Sequence, residues 1–420
     1  MVCSQLTNYI ELNLLFKDTI TGFRKGHSTQ TALLHIRDLC RQAMKCSEIS
    51  ILAMIDFSKA FDTLSHQRLL MKLQDLNCDS NVLHWFQNYL HDRKQFIHLN
   101  NLSSGILPVV AGVPQGSILG PILFNIYSLS LTDNIQHSSV QYADDTQIHL
   151  HARPKDLSTI SKECSTSLNS VHHWAKENDL ALNPHKTVFL TISTLRLANS
   201  ADVNNIQIDV NGTAIKHINE CKNLGVIFDQ NLNFMKHHIS VLRSSYGILS
   251  ILKRLKKFIP ENFKKELVTS LVYSKVHYCN MVTYPLNNSI LLKYTRLDKA
   301  CAAFITGRYS STNDAKKIFG WKNHNHYTEL SILCQAYKCL YFTCSPKYLD
   351  IQINPNSVYG LRRNSRTLLQ PGIEGTFKSH AASLFNKLPV NISSIAGPQN
   401  FNKFRNALVK RMHSETESDL

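Results

Sequence analysis

Three features of the sequence predict an α+β fold. Strands and helices interleave over residues 49–193, an Asn211–Gly212 turn sits between short β-prone segments, and long helical patterns take over from about Asn231. The interleaved region reads as helices packed on one face of a sheet, and the remainder as mainly α-helical. A chain of 420 residues with 43% hydrophobic content can bury a sizeable core and implies two or three structural units.

In chain order, Ser28 can cap a helix over 28–46, where Leu33, Leu34, Ile36 and Leu39 recur at helical spacing. "ISILAMIDFS" (49–58) is a continuous apolar run ending in a carboxylate, as expected of a buried strand. "HQRLLMKLQDL" and "NVLHWFQNYLHDR" have the periodicity of amphipathic helices. "KQFIHLN" to "LPVVAGVPQGS" reads as strand, turn and strand, followed by an apolar helix from about Pro121. A hairpin is predicted at "SSVQYADDTQIHL" (138–150), then a helix over roughly 155–178 and a strand at "KTVFLTIS". In "GILSILKRLKKFI", Ile248, Leu252, Leu255 and Ile259 fall on one helical face with basic residues between them. Residues 340–372 look looser, with "PNSVYG" and "PGIEG" as turns, and the terminal "TESDL" is expected to fray. No internal repeat is present.

Charge narrows the class of partner. Lys and Arg number 46 against 30 Asp and Glu, a net +16, and the pI is about 9.3. That excess favours a polyanion, most simply nucleic acid, with an anionic membrane as the competing reading. No apolar run approaches the ~20 residues of a spanning helix. The eleven cysteines are scattered and odd in number, so they read as reduced thiols of an intracellular protein, and no cysteine pairs stand at zinc-finger spacing. The N-terminus lacks the layout of a secretory signal. Nucleus or cytoplasm is the expected compartment, and "LKRLKK" is a weak nuclear-import candidate. Between 231 and 270, eight Lys/Arg face two Glu. Lys253, Arg254, Lys256 and Lys257 suit a helix that contacts phosphates, although a solvated helix surface is the usual meaning of such a run.

The adjacent carboxylates Asp144 and Asp145 are the sharpest anomaly, because like charges repel and strand interiors disfavour Asp. A plain β-turn explains them, since Asp tolerates left-handed backbone. A metal site also explains them, and Asp56, 88 residues earlier at the end of an apolar strand, strengthens that alternative. Carboxylates at the ends of neighbouring strands can converge on Mg²⁺, which is commonly held by one or two acids plus substrate phosphates. Two such ions about 4 Å apart serve phosphoryl displacement. "AGVPQGSILGP", with glycines at 112, 116 and 120, lacks the GK[ST] ending of a P-loop and by spacing alone is a loop-to-helix junction.

A family resemblance rests on seven blocks in order: "TGFRKGHSTQTALLHI", "AMIDFSKAFDTLSH", "RKQFIHLN", "AGVPQGSILGPILFNIY", "QYADDTQI", "WAKENDLALNPHKTVFL" and "CKNLGVIFDQNLNF". Together they resemble the reverse transcriptases of non-LTR (LINE-type, jockey-like) retrotransposons, closely over residues 20–235. The resemblance implies a palm, an antiparallel sheet with packed helices, over 49–235. It implies partial fingers over 1–48, a helical thumb and connection over 236–345, and a C-terminal region over 346–420 with a disordered end. The implied activity is RNA-directed DNA polymerisation with two Mg²⁺ ions, Mn²⁺ being an acceptable substitute. The implied partners are an RNA template, a DNA primer, their RNA/DNA hybrid and dNTPs, with no membrane.

Residue by residue, the resemblance makes Asp56, Asp144 and Asp145 the metal-binding acids, with Asp144 the principal ligand of the pair and the Phe57 carbonyl nearby. Phe61 would be the steric gate that excludes a 2′-hydroxyl; on its own it reads as a core aromatic. Asp62 is expected to be a helix cap or surface acid. Gln115 and Gly116 would lie against template and nucleotide, and Arg24, a further nucleotide-binding candidate, in the remnant of the fingers. Tyr142 would pack near the primer end. Lys186 would protonate the leaving pyrophosphate, with a solvated lysine as the alternative. Asn223, Leu224 and Gly225 would belong to the primer grip, and Lys253, Arg254, Lys256 and Lys257 would contact primer and template.

Two departures temper the match. The sequence lacks the "YRPISL"-like fingers block and the upstream endonuclease domain, so a product truncated at its N-terminus is expected. A catalytically impaired nucleic-acid-binding remnant is therefore the alternative function. An RNA-dependent RNA polymerase is disfavoured, because those enzymes usually carry an acid five positions after the first Asp, where Phe61 stands.

Overall fold

The structure, a computed structural model, describes residues 1–200, 203, 206–354 and 367–418. The chain parts into two compact units, Met1–Ser28 with Cys46–Asn219, and Thr29–Lys45 with Glu220–Leu420. Helix α1 (Val2–Leu12) thus belongs to the first unit and α2 (Thr29–Lys45) to the second. The division falls at 28/29, 45/46 and 219/220, so that the segment 1–48 contributes to both units.

The first unit is built on a five-stranded sheet. Its central strand β1 (Ile49–Ile55) is buried along nearly its whole length, as the continuous apolar run requires. Helices α3 (His66–Asp75), α4 (Ser80–Leu90) and α5 (Gly120–Tyr127) follow, then the hairpin β2 (Ser138–Tyr142) and β3 (Asp145–Ala152). Helix α6 (Leu157–Glu177), β4 (Val188–Ile192) and β5 (Lys216–Ile218) complete the unit. The sheet order is β5-β4-β1-β3-β2, antiparallel except for the β5–β4 pair.

Alternate residues of β1 (Ile49, Ile51, Ala53, Ile55) share a core with Ile148, Leu150 and Phe189 from the neighbouring strands. The helices contribute to that core at helical spacing: Leu69 and Leu73 from α3, Leu123 and Phe124 from α5, and Cys164, Leu168 and Val171 from α6. Each fully buried aliphatic side chain contributes about 1.5–3 kcal/mol. The predicted strand–turn–strand over 94–108 forms only two exposed two-residue ladders, Lys94–Gln95 with Leu107–Pro108 and His98–Leu99 with Leu102–Ser103. The Asn211–Gly212 turn forms as expected, both residues at positive φ (48° and 75°), joining Asp209–Val210 to Thr213–Ala214.

After α2, the second unit continues with the hairpin β6 (Glu220–Asn223) and β7 (Val226–Asp229) and is mainly helical from there. Helix α7 (Met235–Arg254) packs Leu242, Leu249 and Leu252 into a core with Leu297, Cys301 and Phe304 of α8 (Asn288–Thr306). Of the expected apolar face, Leu252 is buried and Ile248 and Ile259 pack against that core, but Leu255 does not join it. The helix stops at Arg254, and Leu255 is its exposed C-cap before a 3₁₀ turn, Lys256–Phe258. In α2, the buried Arg37 guanidinium donates to the Asp38 carboxylate and to the Met281 carbonyl, so the charge is paired.

"PGIEG" forms the expected bend. The last helix runs to Ser418 where fraying was expected; "PNSVYG" and the final two residues lie outside the described residues. Among the described residues no helix is long and apolar enough to cross a membrane.

Candidate active site

Strand register brings three acids together. Ile55 of β1 pairs with Thr146 of β3, so the next residues outward, Asp56 and Asp145, emerge at one end of the sheet. Tyr142 pairs with Asp145, which leaves Ala143 and Asp144 as a two-residue tip. The turn reading and the clustered-acid reading therefore hold together.

Ala143 sits at φ 58°, a conformation costing an L-residue roughly 1–2 kcal/mol. Neighbouring backbone holds it there: a Cβ on Gly22 would stand 2.6 Å from the Ala143 nitrogen. The segment before Gly22 runs beside β2. Thr21 N donates to Gln141 O and Gln141 N to Thr19 O, each at 2.8 Å, while buried Asn125 donates to Gly22 O at 2.7 Å. Tyr142 is half-buried, its ring 6.2 Å from that of Phe23.

The electrostatics are those of crowded carboxylates. Burial raises the Asp144 carboxyl above its ordinary value, and the Asp56 charge adds to the effect against a backbone hydrogen bond that lowers it. Asp145 is raised by lost hydration, then by Asp144 and Asp56. Asp56 Oδ2 is buried with no hydrogen-bond partner, a costly arrangement for a charged oxygen.

The loop after α6 fixes Asp56 from the other side. Asn183 N donates to Asp56 O at 2.8 Å, and Asp56 N donates to Thr187 Oγ1 at 3.3 Å. Asn183 Oδ1 accepts from the backbone N–H groups of His185 and Lys186, shaping the turn that carries the exposed Lys186 side chain. Phe57 bridges to Leu182. The bonds of that bridge are made by flanking residues, so the Phe57 carbonyl stays outside it. Phe61 is half-buried and stacked on Phe124, rings 4.4 Å apart and 19° from parallel.

The glycine loop closes against this segment. Gly112 has φ 83°, and a Cβ there would stand 2.7 Å from Asp62 O, so only glycine fits. Gly112 N donates to Leu64 O at 2.7 Å and Val113 N to Phe61 O at 2.9 Å. Gln115 Nε2 donates to Asp62 Oδ1 at 2.7 Å. Asp62 thus remains a surface acid, but one that orients Gln115. Gly116, at φ 82°, has no protein atom within 4 Å of where its Cβ would be.

Arg24 is held by internal bonds. Its side chain is only 9% exposed. Nε and Nη2 bind the two carboxylate oxygens of Glu11 at 2.9 Å each, and Nη1 donates to the carbonyls of Lys17 and Ile20. Every guanidinium nitrogen is thus engaged, two with Glu11 of α1 and one with carbonyls of the segment that follows it. Sequence reasoning missed Glu11, because a partner across a turn 13 residues away leaves no periodic signal.

In the second unit, Leu224 and Gly225 form the tip of the β6–β7 hairpin, both at positive φ (41° and 88°). Tyr278 OH donates to Leu224 O at 2.8 Å, and a Cβ on Gly225 would meet the Tyr278 ring at 2.8 Å. Asn223 is buried. Lys253, Arg254, Lys256 and Lys257 are exposed, and among the described residues no ion pair ties them. The basic run is thinner than its composition, since Lys236 pairs with Glu220, and Lys264 is buried against Glu261.

Among the described residues no group of three or more His, Cys, Asp or Glu is gathered into a preformed metal site. The unpaired Asp56 Oδ2 beside Asp144 nevertheless fits a divalent cation that takes its remaining ligands from phosphates.

Residues 1–228 match the family model described as reverse transcriptase (RNA-dependent DNA polymerase). The chain belongs to that family. It is 28% identical over 224 residues to the RNA-directed DNA polymerase from mobile element jockey of Drosophila melanogaster, covering 51% of this chain and 24% of that protein. It is 27% identical over 265 residues to the probable RNA-directed DNA polymerase from transposon BS of the same species, covering 61% and 28%. The chain thus spans about a quarter of the length of these relatives. A solved telomerase from Candida tropicalis aligns at TM-score 0.40 and 11% identity, covering 78% of this chain and 54% of that one.

Proposed function

We propose that this chain adds deoxynucleotides to a DNA primer 3′-hydroxyl on an RNA template, as the polymerase core of a non-LTR retrotransposon. The observation that carries the reading is the convergence of Asp56, Asp144 and Asp145 at one sheet end, with Asp56 Oδ2 buried and unpaired. In this reading the first unit holds the palm with partial fingers, and the second holds the primer grip, thumb and C-terminal region.

Asp56 and Asp144 would hold Mg²⁺ or Mn²⁺, with Asp145 in support. Bound there, two such ions supply charge neutralisation for the triphosphate and a lowered pKa for the primer hydroxyl. The chain's own groups do the rest. Phe61, braced by Phe124, fills the space under the sugar and rejects a 2′-hydroxyl. Gln115, oriented by Asp62, and the open backbone at Gly116 receive the nucleotide and template base. Lys186 delivers a proton to the departing pyrophosphate. Tyr142 and the Asn223–Gly225 tip align the primer, and Lys253, Arg254, Lys256 and Lys257 contact hybrid phosphates.

Primer extension on poly(rA)/oligo(dT) with Mg²⁺ or Mn²⁺ tests the proposal. Template-dependent incorporation that disappears in Asp144→Ala supports it. A folded wild-type chain that binds the hybrid yet incorporates nothing with either ion overturns it.

A further inference from the structure

The two most exposed aromatic side chains among the described residues are Phe258, at 83%, and Tyr309, at 81%. Single exposed apolar residues are ordinary, but these two stand on adjoining turns within the second unit. Phe258 ends the 3₁₀ turn that follows α7. Tyr309 lies two residues past Gly307, the left-handed C-cap of α8. A Cβ on Gly307 would be 3.6 Å from Lys256 Nζ, so the ammonium rests at the C-terminal end of α8, where helix carbonyls favour a cation. Lys299 Nζ stands 5.6 Å from the centre of the Tyr309 ring, a cation–π contact that holds the ring on the surface. Lys257 and Arg308 are exposed beside the two rings. Asp314 is within electrostatic reach of Arg308, and its carboxylate, lowered chiefly by accepting from the Ser311 N–H and hydroxyl, is lowered further by that cation.

We infer that this surface binds single-stranded nucleic acid, with bases stacked on Phe258 and Tyr309 and the backbone following Lys256, Lys257, Lys299 and Arg308. Exposed rings set among cations that form no ion pair among the described residues are the two components of sequence-tolerant single-strand binding. A duplex offers its phosphates to the cations but keeps its base faces stacked internally, so the rings distinguish the two ligands. An anionic membrane would use the same cations but would also take up a broader apolar face than two isolated rings. The site uses none of the carboxylate machinery. It rests on the nucleic-acid part of the proposed function alone.

Fluorescence anisotropy of the full chain, with labelled dT20 and rU20 strands and a blunt RNA/DNA hybrid of equal length, tests it. Phe258→Ala and Tyr309→Ala should each weaken single-strand binding about tenfold, the order lost with one base–ring stack, and change hybrid binding less than twofold. Tyr309→Phe and Phe258→Trp should retain the affinity, which separates stacking from a structural role. Lys256→Ala with Lys257→Ala should flatten the slope of log affinity against log salt by about 0.7 per charge, whereas the ring variants leave that slope unchanged. Comparison of dT20 with rU20 shows which strand chemistry is preferred. Asp144→Asn should bind the single strand as wild type does, so this site and the polymerase reading fail separately. Single-strand affinity unchanged in the double ring variant overturns the inference. So does an equal loss for the hybrid, or a loss of phosphatidylserine-vesicle binding with single-strand binding intact.

Discussion

The two units each present a two-residue hairpin tip, and the tips are built differently. In the second unit, Leu224–Gly225 has both residues at positive φ, includes the glycine such a turn favours, and is held by a single ring, that of Tyr278. In the first unit, Ala143–Asp144 has no glycine. Its strained alanine is held by pairing with residues 19–21 and by the backbone of Gly22. One tip is stable by local turn chemistry, whereas the other needs its surroundings. Strain retained beside crowded carboxylates is the pattern of a position kept for chemistry.

The largest effect expected from breaking this contrast is at Asp144. Asp144→Ala should lower incorporation by about 10³-fold or more, the order lost with a principal charge-stabilising group, while the melting temperature holds or rises. Loss of incorporation together with unfolding would refute the assignment.

Next come the supports of the two tips. Gly22→Ala drives a methyl into backbone, which cannot swing aside, and should cost about 1–3 kcal/mol in denaturant unfolding, with incorporation falling further than the unfolded fraction explains. Gly225→Ala should cost a similar amount from its positive φ and the Tyr278 ring, but adding Tyr278→Ala should return the packing part of that cost. A strictly additive double-mutant cycle would show that Tyr278 does not hold the tip.

A smaller effect is expected of Ala143→Gly, which removes the left-handed penalty and should stabilise the chain by about 1 kcal/mol. A concurrent fall in incorporation would show that the stiff tip aims Asp144.

The smallest effect concerns pH. The folded carboxyls of Asp144 and Asp145 lie above 3.8, so just above that value the folded chain holds more protons than the unfolded one. Stability therefore falls as pH rises through that window. Asp144→Asn and Asp145→Asn should melt higher than wild type at neutral pH in metal-free buffer, and the difference should close below pH 3.8. A difference independent of pH would mean that the acids are not crowded.

Much of this was legible in the sequence, for reasons that differ from place to place. The strand before Asp56 announced itself as an unbroken apolar run, and Asn211–Gly212 announced a turn because both residues tolerate positive φ. The acids could be grouped by family pattern, but their shared sheet end depends on the Ile55–Thr146 register, which no local pattern encodes. Thr187 and Asn183 behind Asp56, and Asp62 behind Gln115, were hidden because hydrogen-bond partners distant in sequence carry no periodicity. Glu11 beside Arg24 was hidden because a cation in a recognised block carries no mark of the carboxylate that neutralises it. Leu255 was misread because helical spacing continues on paper past the residue where the helix stops.

The clamp on Asp56 also sets an order of events during synthesis. Its hydroxyl partner, Thr187, lies 131 residues downstream. A ribosome adding about 5–20 residues per second needs roughly 7–26 s to reach it. For nearly all of that interval the nascent chain carries Asp56 with neither Asn183 nor Thr187 made, so the Asp56 backbone is clamped only after β4 is reached. The backbone clamp on Asp56 therefore forms late, when the sheet of the first unit is nearly complete.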